Sequence, residues 1–240
     1  MEYNRFGIDQ TAYDRELSLS TAFPVLMRKV YVWMTLALVI TGFTAYGVAT
    51  SPGVLQLIFG NQLVFWGLLI AELGLVFAIS GAINRLSLTT ATLLFVLYSV
   101  INGVTLSSIF VVYTYSSIAK VFFITAGTFG VMAFIGYTTK TDLTSLGKIL
   151  LMALIGLIIA TLVNVFLIKS TGFDLVVSYV GVLIFVGLTA YDSQKIKEML
   201  STADALDEGG QKLALLGALS LYLDFINLFI YLLRIFGRRD

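Results

Sequence analysis

The chain has 240 residues, of which 58% are hydrophobic and 12% are charged, and its net charge is +1. Soluble domains normally carry about 25% charged residues, so this composition argues against a soluble helical protein and predicts a polytopic membrane protein. The chain contains no cysteine and no histidine, which excludes thiolate metal sites and the Ser-His-Asp and Cys-His catalytic groups. We therefore expect no enzyme, no bound cofactor and, without a basic block, no nucleic-acid partner.

Residues 1–29 are polar and mixed in charge, and they end in Arg28–Lys29. They lack an early apolar core with a small-residue cleavage site, so no cleavable secretory signal is expected. We predict that residues 1–29 form a polar cytoplasmic segment and that residues 30–240 form a single seven-helix membrane domain.

Seven apolar segments follow, each long enough for a bilayer core about 30 Å thick. They are Val30–Ala49, Leu63–Ile83, Leu88–Val112, Val121–Tyr137, Ile149–Ile168, Val176–Ile196 and Leu213–Phe236. Two pairs of small residues spaced four apart predict close helix packing, Ser99 with Gly103 and Ala126 with Gly130.

The distribution of lysine and arginine predicts a cytoplasmic N-terminus. For the first six segments, ten such residues lie inside and two, Lys120 and Lys169, lie outside. The C-terminal Arg234, Arg238 and Arg239 break this bias. Charge therefore favours a re-entrant last segment, whereas the length of that segment favours a full crossing.

The last segment carries an aspartate, Asp224, near its centre, where a charge is costly and marks a functional site by default. Polar and small residues follow one another there at steps of three and four, which places them on one stripe of a helix. They are Gly217, Ser220, Asp224, Asn227, Tyr231 and Arg234. Such a helix should face other helices or water, so we predict that the other six helices wrap around it.

Two further acidic residues lie in apolar segments, Glu72 midway along the second and Asp192 near the inner end of the sixth. Nothing on its own helix can satisfy Glu72, so it must be protonated, paired across helices or hydrated. Glu72 and Asp224 either mark an ion pathway or are structural carboxyls, and Asp192 is alternatively an interfacial residue hydrated by water. In the third segment Tyr98, Asn102 and Thr105 form a polar stripe that either bonds a neighbouring helix or lines a pathway.

Three motifs together resemble the Bax inhibitor-1 (transmembrane Bax inhibitor motif) family. They are LSLYLDFINLF at Leu219–Phe229, Ala190–Tyr191–Asp192, and AELG at Ala71–Gly74. The resemblance implies a prokaryotic member, located in the bacterial inner membrane, with a last helix wrapped by six others. It also implies an aspartate pair, here Asp192 and Asp224, that senses pH for a calcium leak, and it matches Glu72 to an acidic residue of the family's second helix.

Some bacterial members have an arginine near the end of the second helix that is hydrogen-bonded to the aspartates. A gapless comparison places Ile83 at that position, and Arg85 lies two residues further on. Arg85 is therefore a candidate for the latch, with a plain positive-inside anchor as its alternative role.

Two carboxyl groups in contact in an apolar site do not readily ionise together, so the pair is expected to share a proton and titrate as a unit. Loss of that proton would create repulsion and a transient calcium site. We expect its oxygens to come from Asp192, Asp224, Glu72, water and the amides of Asn102 or Asn227. Helix arithmetic, however, leaves the two aspartates offset in depth by about 9 Å.

These observations favour a pH-sensitive calcium leak channel whose partners are the lipid bilayer, calcium and protons. One alternative is a regulatory membrane protein that acts through partners in cell death or on a membrane protease, with the N-terminal segment as its contact site. A proton-coupled ion transporter is the third possibility.

Overall fold

The computed structural model describes residues 5–201 and 207–238, with side chains from Ala22 onward. These residues form helices and no strand. The helices are α1 (Arg5–Ala49), α2 (Pro52–Phe59), α3 (Gln62–Ala82), α4 (Leu88–Leu106), α5 (Ile109–Val112), α6 (Tyr115–Thr138), α7 (Thr144–Val163), α8 (Thr171–Ser201) and α9 (Glu208–Phe236). A π-helical turn, Asn164–Ile168, continues α7.

Seven helical stretches of the described chain are long and apolar enough to cross a membrane, which confirms the predicted number of segments. The helices extend beyond the apolar segments, however, because hydropathy detects the part of a helix that lies in lipid rather than the whole helix. α8 continues to Ser201, and α9 begins at Glu208, where Asp207 caps it by accepting a 2.8 Å hydrogen bond from the Gly210 amide. The short helix α2 was not predicted.

α1 begins at Arg5, well before the first span, which starts at Ala22. The predicted boundary at residue 29 therefore falls inside a continuous helix. The side chains of the predicted polar segment that precede Ala22 lie outside the described residues.

The last helix is the central one, as predicted. In its most apolar window, 67% of the residues of α9 are buried, compared with 6% to 44% in the other spans. α9 packs against α8, α1, α6 and α4, whereas α3 packs mainly on α4 and α7 mainly on α8. Exposed apolar side chains on these outer helices face the bilayer, where lipid tails solvate them.

The last helix also crosses the bundle completely. The Arg238 amide donates a 2.7 Å hydrogen bond to Ser117 Oγ, and the Thr114 amide donates a 3.1 Å bond to the Arg238 carbonyl. The C-terminus therefore lies beside the start of α6, at the opposite end from the α8–α9 connection. The re-entrant alternative is wrong, because the length of the segment outweighs its terminal charge.

Glycines allow two close helix approaches. A Cβ at Gly103 would lie 2.7 Å from the Thr41 carbonyl oxygen, so Gly103 lets α4 approach α1, which confirms the Ser99–Gly103 packing prediction. A Cβ at Gly136 would meet the backbone of Ala190, so α6 and α8 touch there. The other predicted packing pair is wrong at Gly130, where an added Cβ would meet no neighbouring helix within 4 Å among the described residues.

Candidate functional site

The polar stripe of α9 faces α8 along most of its length. A Cβ at Gly217 would lie 3.1 Å from the Ile196 side chain. Toward the other end, the Tyr231 ring stacks on Phe185 with 5.9 Å between ring centroids. Beyond that stack, Arg234 Nη1 lies 3.2 Å from Asp174 Oδ1. These contacts run in opposite directions along the two chains, so α8 and α9 are antiparallel neighbours.

The same contacts place Asp192 and Asp224 within about one helical turn of the same height. Phe185 lies seven residues before Asp192, and Tyr231 lies seven residues after Asp224. At 1.5 Å per residue, both aspartates are about 10 Å from the stacked Phe185 and Tyr231 rings, in the same direction along the interface. The Gly217–Ile196 contact is about 6 Å from Asp192 and about 10 Å from Asp224, so the two aspartates differ in height by less than the sequence predicted. The larger offset assumed that the two apolar segments end at equal depth, whereas side-chain packing sets the relative height of the helices.

Asp224 differs from the other buried polar residues in its hydrogen bonding. Its side chain is buried, with 4% of the residue exposed, and its Oδ2 atom has no hydrogen-bond partner among the described residues. The charged group that acts on it is Asp192, which in turn interacts with Lys195. A buried carboxyl oxygen without a partner costs about 1–3 kcal/mol or more, so it requires an explanation. The structure thus brings together the two predicted aspartates, across the α8–α9 interface.

Neighbours of Asp192 hold its end of α8 in place. Ser193 Oγ donates a 2.7 Å hydrogen bond to the Ala133 carbonyl, and Gln194 Nε2 donates a 2.8 Å bond to the Thr141 carbonyl. Lys197 Nζ donates a 2.8 Å bond to the Tyr137 carbonyl at the end of α6. Sequence reasoning missed these positioning residues, although the polar pair Ser193–Gln194 inside a helical segment was a signal for buried bonds.

Glu72 lies in a separate cluster between α3 and α4. Thr105 Oγ1 donates a 2.6 Å hydrogen bond to Glu72 Oε1, and Asn102 Nδ2 donates a 3.5 Å bond to Glu72 Oε2. Asn102 and Thr105 therefore form interhelical hydrogen bonds, one of the two roles considered for their stripe. Tyr222 Oη donates a 2.9 Å bond to Asn102 Oδ1. Tyr222 was missed, although a buried tyrosine normally needs a partner for its hydroxyl group.

The structure does not bring Glu72 to the aspartate pair. No group of three or more His, Cys, Asp or Glu residues in the described part of the chain is arranged to hold a metal ion. Tyr222 and Asp224 are two residues apart, about 200° around α9, so they point to opposite sides of the helix. The three carboxylates expected to bind calcium are therefore not brought together: Glu72 lies apart from the two aspartates, because α4 lies between α3 and α9.

The two remaining candidates are placed differently from each other. Asn227 is half-buried, and its Nδ2 donates a 2.8 Å hydrogen bond to the Leu223 carbonyl of its own helix. Arg85 lies in the turn between α3 and α4 with an exposed side chain. Within the described residues it makes no hydrogen bond or ion pair with either aspartate. A latch formed by Arg85 is therefore not seen, because the chain turns away from the α8–α9 interface there.

Comparison with known proteins agrees with the motifs. Residues 24–240 match the family described as "Inhibitor of apoptosis-promoting Bax1". The chain belongs to the Bax inhibitor-1 family. The match covers all seven spans except the first residues of α1, and it confirms the resemblance carried by LSLYLDFINLF.

Several bacterial proteins are similar to this chain. Inner membrane protein YbhL of Escherichia coli is 53% identical over 214 residues, which cover 89% of this chain and 91% of the relative. A protein of Borreliella burgdorferi is 47% identical over 232 residues, covering 97% and 98%. A protein of Rickettsia prowazekii is 45% identical over 217 residues, covering 89% of each chain. Like the family, the protein is a multi-pass integral membrane protein.

Proposed function

We propose that the protein is a pH-sensitive calcium leak channel of the bacterial inner membrane, with a cytoplasmic N-terminus. The observation that carries the proposal is the buried Oδ2 atom of Asp224, which lacks a hydrogen-bond partner and has Asp192 as its charged neighbour. The family membership and the name of the Escherichia coli relative support the membrane assigned here.

The proposed gate is the contact between α8 and α9. A shared proton lets Asp192 and Asp224 face each other without repulsion in a site of low dielectric constant. When the proton leaves, the two charges repel each other and push α8 away from the central helix. The separated carboxylates then provide oxygen ligands for calcium, and water and backbone carbonyls complete a transient coordination shell.

The test is calcium flux into proteoliposomes, measured with an enclosed calcium indicator while the external pH is varied. We expect the flux of the wild-type protein to depend on pH and the flux of Asp192→Asn and Asp224→Asn to be insensitive to pH. Asp174→Asn is the matched control, because it removes a carboxylate from the far end of the same interface. It should keep the wild-type pH profile.

An unchanged pH profile in both aspartate variants would refute the gate. Flux in both directions that requires an imposed proton gradient would instead indicate a proton-coupled ion transporter.

One observation favours a second function, regulation through a partner such as a membrane protease. α1 begins at Arg5, 17 residues before the first span, so it extends about 25 Å beyond Ala22. Such an extension offers a surface outside the bilayer. Deletion of Met1–Ser20 distinguishes the two functions. A channel should retain its flux without this segment, whereas a regulator should lose the membrane protein that co-purifies with it.

A further inference from the structure

Glu72 is the main polar connection between the outer helix α3 and the rest of the bundle. α3 packs mainly on α4, and Ile79 is its only residue in the buried class within the described structure. The Glu72 carboxyl, by contrast, bonds Thr105 at 2.6 Å and Asn102 at 3.5 Å. Because so little of α3 is fully buried, the state of this carboxyl matters for its attachment.

The hydrogen bonds continue from Glu72 to the centre of the molecule. Asn102 contacts Tyr222 Oη of α9 at 2.9 Å, and Tyr222 Oη lies 2.6 Å from Thr41 Oγ1 of α1. Thr41 Oγ1 in turn lies 2.9 Å from the Ser99 carbonyl oxygen. Tyr222, Thr41 and Asn102 are all buried. A single chain of contacts therefore joins α3, α4, α9 and α1.

The number of available protons depends on the charge of Glu72. The chain has four contacts: Glu72–Asn102, Asn102–Tyr222, Tyr222–Thr41 and Thr41–Ser99. When Glu72 is ionised, Asn102 donates to Glu72 and Tyr222 donates to Asn102, and Thr41 has one proton for either Tyr222 or the Ser99 carbonyl. Those three donors fill three of the four contacts, and one of the two Thr41 contacts is left without a proton.

A protonated Glu72 adds the missing donor. If the Asn102 amide turns over, its oxygen accepts from Glu72 and its nitrogen donates to Tyr222. Tyr222 then donates to Thr41, and Thr41 donates to the Ser99 carbonyl. All four contacts are filled, and the hydrogen bonds that join Glu72, Asn102 and Tyr222 have reversed their direction.

We propose that Glu72 is a second proton-binding site, whose charge sets the direction of the hydrogen-bond chain through Asn102 and Tyr222 to Thr41. Among the described residues, the titratable groups that face it are Tyr98 on α4 and Tyr222 on α9. The chain runs on the side of α9 opposite Asp224. The site is therefore separate from the aspartate pair, and it does not depend on the proposed channel function.

The test is infrared titration of the full protein in lipid, following the carbonyl stretch of protonated carboxyl groups as pH rises. We expect one titrating component to disappear in Glu72→Gln and to persist in the double variant Asp192→Asn/Asp224→Asn. This measurement does not involve ion flux, so its result is independent of whether the protein conducts calcium.

Two variants test the chain itself. Thr41→Val and Tyr222→Phe each remove two contacts from the protonated arrangement. From the ionised arrangement Thr41→Val removes only one hydrogen bond, because Thr41 donates a single proton there, and the Asn102–Tyr222 bond remains. Tyr222→Phe likewise frees Thr41 to bond the Ser99 carbonyl. Each variant thus costs the protonated form one more hydrogen bond, and its Glu72 midpoint should fall by about 0.5–1 pH unit.

Tyr98→Phe is the matched control. Its ring packs edge-on against Tyr222 with centroids 5.7 Å apart, but its hydroxyl group takes no part in the four contacts. It should shift the midpoint less than either chain variant does. A spectrum in which Glu72→Gln removes no titrating component would overturn the proposal. So would midpoints for Thr41→Val and Tyr222→Phe that equal the midpoint of Tyr98→Phe.

Discussion

The contact between α6 and α8 at Gly136 offers a quantitative test of the helix packing. An alanine Cβ at this position would lie 2.7 Å from the Ala190 carbonyl carbon and 2.8 Å from its Cα. Carbon atoms pack best at about 3.5–4.0 Å, so Gly136→Ala requires the helices to separate by about 1 Å. The neighbour is helical backbone, which cannot rotate away as a side chain can.

The separation also affects the residue that follows Asp192. The 2.7 Å bond from Ser193 Oγ to the Ala133 carbonyl would lengthen to about 3.7 Å and be lost, at a cost of about 1 kcal/mol. Overpacking itself costs about 1–3 kcal/mol, and alanine in place of glycine in a helix recovers about 1 kcal/mol. We expect Gly136→Ala to lower the free energy of unfolding by about 1–3 kcal/mol.

Gly130→Ala is the matched control, the same substitution in the same helix at a position with open space. It should leave the free energy of unfolding unchanged or raise it by up to about 1 kcal/mol. Denaturant unfolding of both variants and the wild-type protein in detergent micelles, followed by circular dichroism, measures the difference. Equal stability of the two variants would refute the inference that backbone contact at Gly136 sets the α6–α8 distance.

Two further predictions concern charged groups near the bundle ends. Hydrogen bonds from the Thr144 side chain and amide lower the pKa of Asp142 in the loop before α7. The pKa of Asp142 is therefore lower in the folded protein than in the unfolded one. The contribution of its carboxylate to stability is fully present at pH values above the unfolded pKa, and it is lost as the pH falls through the folded pKa. Asp142→Asn should remove this acid-dependent part of the unfolding free energy, and identical pH profiles for variant and wild type would contradict the assignment. The Arg234–Asp174 pair is about one-third exposed on each side. A double-mutant cycle with alanine should therefore give a coupling energy of at most about 1 kcal/mol, and a larger value would show that the pair is shielded from solvent.

The predictions that succeeded rest on properties of one helix at a time. Hydropathy over about 20 residues decides whether a segment can cross a bilayer, so the number of spans was readable before any packing was known. Helical periodicity placed Gly217, Asp224 and Tyr231 on one stripe, and that stripe does face α8. The sequence also predicted that Glu72 needs a partner on another helix, because its neighbours on its own helix are apolar.

The predictions that failed depend on how helices meet. Glu72 was expected beside the aspartates, but α4 lies between α3 and α9 and supplies Asn102 and Thr105 instead. The angle around α9 between Tyr222 and Asp224 follows from the sequence, but the sequence does not show which neighbouring helix packs on each side. Arg85 was a candidate by its spacing from Glu72, and its exposure in the turn follows from where α3 ends.

The sequence by itself determined that this is a membrane protein with seven spans and a polar last helix, because insertion and helical periodicity are set by residues close together in the chain. It also singled out Asp192, Asp224 and Glu72, since carboxyl groups are rare and costly in apolar segments. Only the tertiary structure decided that the two aspartates lie within about one helical turn of the same height and that Glu72 belongs to a separate chain of hydrogen bonds. Helix height and helix neighbours are set by contacts between distant residues, such as Gly181 with Tyr231 and Gly103 with Thr41, whose geometry appears only when the helices are packed.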